Sequence, residues 1–129
     1  MDIGCGDGGV LLGLVKRTGC KGVGVEIDID LCRRARESAM AEGIDERRLK
    51  LYRKPAEEVS VEQYCNRDGV TLVYIYALFL AENPVIIELL QQMLVRGIRV
   101  VSNTFELPVA EFGTFSDVWP DPDTAEGLF

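Results

Sequence analysis

Apolar residues along this 129-residue chain fall into short runs whose spacing changes, and the changes mark out alternating strands and helices. Between Gly9 and Thr18 stand Val10, Leu11, Leu12, Leu14 and Val15, too apolar a set for an exposed helix. A crossover helix buried against a sheet is expected there. Gly19 ends it. Gly22 to Glu26 is short and β-branched, as a second strand should be. Asp28 or Asp30 can then cap a helix running to about Glu42. Its inward residues are Leu31, Cys32, Ala35 and Ala39, its outer face is charged, and Gly43 closes it.

Leu49 to Tyr52 reads as a third strand. The polar stretch Pro55 to Tyr64 is expected to end in one short helix capped by Ser60. Val70 to Tyr76 alternates little and is rich in β-branched and aromatic residues, the signature of a central parallel strand. Asn83-Pro84 is a helix start, a cap followed by proline at the first helical position. That helix runs to about Val95 and is expected to bury Ile86, Leu90, Met93 and Leu94. Gly97 stops it, and Ile98 to Ser102 is a fifth strand. The order β-α-β-α-β-α-β-α-β predicts an α/β fold, a doubly wound and mainly parallel sheet. Its expected spatial order is 3-2-1-4-5, with ligands outside the carboxyl ends of strands 1 and 2.

Composition narrows the function. A net charge of −7 with no cluster of Lys and Arg disfavours a nucleic-acid partner. No apolar run is long enough to span a membrane. With no histidine in the chain, Ser-His-Asp, Cys-His and His–metal chemistry are excluded. Cys5, Cys20, Cys32 and Cys65 lack metal-ligand spacing, so no metal site is expected. They read as reduced, mostly buried thiols of an intracellular protein. Met1 to Ile3 is short for a first strand of about five residues, so a fragment of a longer chain is expected.

The chemistry gathers at Met1-Asp2-Ile3-Gly4-Cys5-Gly6-Asp7-Gly8-Gly9, a strand end followed by a glycine turn. An acid, Glu26, ends the next strand ~20 residues on, where such folds hold a ribose. Gly4, Gly6 and Gly9 also fit a dinucleotide fingerprint, so an NAD-type cofactor is the competing reading. A pyrophosphate wants N–H donors and positive charge. Here Asp2 and Asp7 flank the loop and no Lys or Arg appears before Lys16. A cationic ligand suits that loop better, and S-adenosylmethionine carries an ammonium and a sulfonium.

Asp2, Gly4, Gly6 and Gly8 resemble the first motif of the class I, seven-strand methyltransferases. The resemblance covers Met1 to Pro108, which it implies is an S-adenosylmethionine-binding domain of Rossmann-like methyltransferase fold. Residues 109–129 are left as an irregular acidic tail, expected to be poorly ordered. The resemblance implies that Asp2 and the backbone of Gly4, Cys5, Gly6 and Gly8 hold the methionine part. Glu26 would take both ribose hydroxyls, and Ile27 would lie against the adenine. The family's adenine-binding acid after strand 3 corresponds to Pro55 here, with Glu57 or Glu58 as substitutes. Its acid at the start of strand 4 is replaced by Thr71.

At the tip of strand 4, Tyr76-Ala77-Leu78-Phe79 excludes the adenine and glutamine methylases, whose motif differs. With Gly97-Ile98-Arg99-Val100-Val101-Ser102, and with Phe105 and Pro108 downstream, it resembles small protein-lysine methyltransferases. That implies transfer to a protein lysine, with Tyr76 facing the methyl-bearing sulfur as the catalytic residue. A small-molecule acceptor and a catalytically silent cofactor-binding or scaffold module remain the alternatives.

Overall fold

The first strand, β1 (Asp2–Ile3), is two residues long and yet lies at the centre of the sheet. Asp2 and Ile3 pair with Gly24 and Val25 on one side and with Tyr74 and Ile75 on the other. The computed structural model describes residues 1–76 and 82–103. Its remaining strands are β2 (Gly22–Glu26), β3 (Leu49–Arg53), β4 (Leu72–Ile75) and β5 (Arg99–Ser102). All pairings are parallel and the order is β3-β2-β1-β4-β5, as the sequence predicts. Phe79, Phe105, Pro108 and the tail 109–129 lie outside the described residues.

Three α-helices flank the sheet among the described residues: α1 (Gly9–Thr18), α2 (Ile29–Ala41) and α3 (Pro84–Val95). One face of the sheet packs on α3. Ile86, Leu89, Leu90 and Met93 meet Ile3, Val25, Val73 and Ile75, together with Tyr64. The other face takes Leu11, Leu12 and Val15 from α1 and Ala39 from α2, closed by Ile44 and Leu49. Asp28 is the cap of α2, its Oδ1 accepting from the N–H groups of Asp30 and Leu31. Asn83 caps α3, accepting from Val85 N–H with Pro84 following it.

Several local expectations are corrected. Val10 and Leu14 are exposed, because Leu11, Leu12 and Val15 define the buried stripe and these two lie off it. Leu94 is exposed for the same reason, while Leu89 takes the inward position. The stretch after β3 forms a 3₁₀ turn, Ala56–Glu58, and then a π-helical segment, Glu62–Arg67. Ser60 does cap that segment, its Oγ accepting from Gln63 N–H at 3.3 Å. Of the four thiols, Cys5 and Cys32 are buried, Cys65 is half-buried and Cys20 is exposed.

Candidate cofactor site

β1 runs directly into the glycine turn, where Gly4, Gly6 and Gly8 have φ of 79°, 57° and 79°. Residues with a Cβ rarely adopt that left-handed region, which explains glycine at alternate positions. Gly4 and Cys5 both donate N–H to Val25 O, at 2.8 and 3.0 Å. Gly8 N–H donates to Cys5 O at 2.9 Å, and Gly9 N–H to Asp7 Oδ1 at 3.1 Å. Beneath the turn, a Cβ on Gly24 would stand 2.8 Å from Cys5 Sγ and 2.8 Å from Leu51 Cδ2. β2 therefore needs glycine there so that Cys5 can fold under the loop. Burial first, then the charges of Asp2 and Glu26, push the Cys5 thiol up to about 12.

At the tip of β2, Glu26 binds three backbone amides. Its Oε2 accepts from Gly6 N–H at 2.9 Å, and its Oε1 from Ile27 at 2.9 Å and Asp28 at 3.0 Å. One carboxylate thus ties the glycine turn to the start of α2. Nothing in the sequence pattern signals this tie, because Gly6 and Glu26 become neighbours only when β1 and β2 pair. Each carboxylate oxygen has about two acceptor positions, so Oε1 is filled and Oε2 keeps one open.

Asp2 is 5% exposed. Its carboxylate has no hydrogen-bond or ion-pair partner among the described residues. Burial is the main cause that raises its pKa to about 6; the Met1 ammonium opposes the rise and Glu26 adds to it. Burying a polar group without a partner is costly, and an ionised one more so. A partner supplied by a ligand would have to be a cation or a donor.

The remaining predicted residues stand around this centre. Ile27 is 61% exposed beside Glu26. Tyr76, 54% exposed, follows Ile75 beyond β4, and the Ile3–Ile75 register sets it level with Gly4. Glu57 is engaged elsewhere, its Oε1 accepting from Asn83 Nδ2 at 2.8 Å. That bond links the 3₁₀ turn to the cap of α3. At the carboxyl end of β5, Asn103 Nδ2 donates to Tyr74 OH at 3.0 Å, a pair the sequence reading missed.

A parallel sheet in this order, with a glycine turn after β1 and an acid ending β2, is the Rossmann-like methyltransferase fold. The chain belongs to the family described as the ANTKMT methyltransferase domain, whose model matches residues 2–112. No curated protein matches it. Among solved structures it is similar to an RNA methyltransferase from Salinibacter ruber in complex with S-adenosyl-L-homocysteine. That likeness has 27% identity and a TM-score of 0.61, over 82% of this chain and 64% of the other. A methyltransferase from Thiobacillus denitrificans, also with S-adenosyl-L-homocysteine, is 20% identical (TM-score 0.59; 78% of this chain, 39% of the other). Geranyl diphosphate C-methyltransferase from Streptomyces coelicolor is 17% identical (TM-score 0.60; 78% and 36%). The chain spans less than two thirds of the length of each.

Proposed function

We propose that this chain binds S-adenosylmethionine at the carboxyl ends of β1 and β2 and serves methyl transfer to a protein lysine. The observation that carries the first half is Asp2, a residue 5% exposed whose carboxylate meets no donor among the described residues. A ligand ammonium would complete it. The glycine turn supports the same reading. The amides of Gly4, Cys5, Gly6, Gly8 and Gly9 already donate to protein acceptors, so these five have no N–H to spare for a pyrophosphate. That argues against NAD. Glu26 offers its open Oε2 position to a ribose hydroxyl, and Ile27 presents an apolar surface for a base.

When bound, the cofactor supplies an electrophilic methyl on a cationic sulfur. The chain's own task is to hold a neutral amine in line with it. Deprotonating a lysine of pKa 10.4 at pH 7 costs about 4–5 kcal/mol. An aromatic such as Tyr76, level with Gly4, excludes water and packs along a lysine stem. The match to the ANTKMT methyltransferase domain and the strand-4 and strand-5 motifs support the lysine acceptor. A small-molecule acceptor is the second reading, compatible with the exposure of Ile27 and Tyr76 to solvent.

Calorimetry with S-adenosylmethionine, its demethylated product and NAD tests the cofactor half. Binding of the first two and not of NAD is expected; tighter NAD binding would overturn it. For the acceptor, Tyr76→Ala is expected to lower turnover more than cofactor affinity. Equal losses in both would move Tyr76 from the acceptor side to the cofactor pocket.

A further inference from the structure

β3 is one outer edge of the sheet, and a groove of about 450 Å³ wraps around it. The direction of its backbone groups follows from two bonds. Gly22 N–H donates to Arg48 O at 2.8 Å and Lys54 N–H to Glu26 O at 3.0 Å, so the even-numbered residues face β2. Leu49, Leu51 and Arg53 therefore turn their N–H and C=O groups away from the sheet. Leu49 N–H reaches Asp45 O at 3.0 Å, and Leu51 O accepts from Arg36 Nη2 at 3.3 Å. Leu49 O, Leu51 N–H and both groups of Arg53 have no hydrogen-bond partner among the described residues. An edge of this kind is a template for one more strand.

The two faces of that edge differ in chemistry. On the α2 side lie Leu49 and Leu51 with Ala39, Ile44 and Met40, the last of them 79% exposed. On the other side lie Lys50, Tyr52 and Arg67. Lys50 and the Tyr52 hydroxyl both bond Asp68, which leaves Arg67 as the cation there with no ion pair among the described residues. Arg47 to Lys54 hold five cations and no acid, a cluster that the sequence reading overlooked within a net charge of −7. Glu46 is the one acid among the described residues lining the groove. Side chains of an added strand would alternate between these two faces. We propose that the β3 edge takes an extended segment of a partner protein in which apolar and acidic residues alternate. Its apolar side chains cover Leu49, Leu51 and Met40, its acids meet Arg67, and its backbone completes the open edge. A second copy of this strand offers cations and no acid, so charge opposes self-pairing. Single-stranded nucleic acid is the rival occupant, and Tyr52 is an aromatic on which a base could stack. That ring already packs edge-to-face on Tyr64, at 5.4 Å between centroids, with its hydroxyl tied to Asp68. A nucleic acid would also leave the aliphatic face and the open backbone groups unmatched.

The test uses the full chain and a fluorescent peptide of alternating valine and glutamate, read by anisotropy. This peptide is expected to bind, and one of the same composition in two blocks should bind less tightly. Two further peptides carry N-methyl groups, one on its valines and the other on its glutamates. Alternate amides of a strand face opposite edges, so only one of the two should lose affinity, by about tenfold or more. Arg67→Glu, at an exposed side chain, should leave far-UV circular dichroism unchanged. It should weaken the glutamate peptide and favour one with lysine in its place, each by up to about fivefold. No binding of the alternating peptide overturns the proposal. Equal affinities for the two N-methylated peptides, or for the alternating and block peptides, overturn it too, as does binding that ignores the charge reversal. An oligouridine that binds more tightly than the peptide and displaces it would assign the groove to nucleic acid instead. A dimer of the free chain that the peptide dissociates would assign it to a second copy.

Discussion

Asp2 concentrates the physical argument in one side chain. Its pKa is about 3.8 in an unfolded chain and about 6 in the fold. The folded state therefore holds the proton more tightly. The protein is most stable, as far as Asp2 is concerned, below pH 4, and that stability is lost as pH rises to 6. The difference amounts to about 3 kcal/mol. Asp2→Asn is thus expected to raise the melting temperature of the ligand-free chain at pH 7.5 while weakening S-adenosylmethionine binding by about tenfold or more. In the parent, calorimetric affinity should fall as pH drops through 6, because a protonated Asp2 no longer attracts a cation. An Asn variant that binds as tightly as the parent would remove Asp2 from the site.

Glu26 makes a companion case. The sequence alone suggests that Glu26→Gln keeps one acceptor oxygen and loses less than Glu26→Ala. In the fold a glutamine must turn its NH₂ toward either Gly6 or the Ile27 and Asp28 amides, donor against donor. Both Glu26→Gln and Glu26→Ala are therefore expected to weaken cofactor binding by about 1.5–3 kcal/mol. Titration of the two variants side by side checks this, and a glutamine variant equal to the parent would contradict it.

At the level of elements, hydrophobic period located every α-helix and strand among the described residues, but not always the buried face. In α1 the density of apolar residues concealed their angles. Leu11, Leu12 and Val15 turn to the sheet and Val10 and Leu14 do not. α3 shows the same effect, and it can be measured. Leu90→Ala removes a fully buried side chain and is expected to cost 2–5 kcal/mol, as in other apolar cores. Leu94→Ala, on the exposed side, should stay within about 0.5 kcal/mol. Chemical denaturation of both variants decides which face is inward. The glycine turn and Glu26 were legible because their residue types and spacing carry the signal. The burial of Asp2, with no donor to it among the described residues, and the amides on Glu26 were not. Both arise from strand pairing and burial, which no local pattern encodes.

For the whole molecule, the consequence of a two-residue central strand is kinetic. Contacts among β1, α1, β2, α2 and β3 join residues close in sequence, so their loops close early. The bond from Met1 N to Leu72 O and the pairing of Asp2 with Tyr74 span more than seventy positions and close late. Folding is therefore a docking of two unequal parts, joined by the β1–β4 pairing and by α3 packing on Ile3 and Val25. The part that assembles first already contains Asp2, the glycine turn and Glu26. The part that arrives last brings Tyr76, so the residues proposed to hold the methyl donor stand together before the one proposed to meet the acceptor.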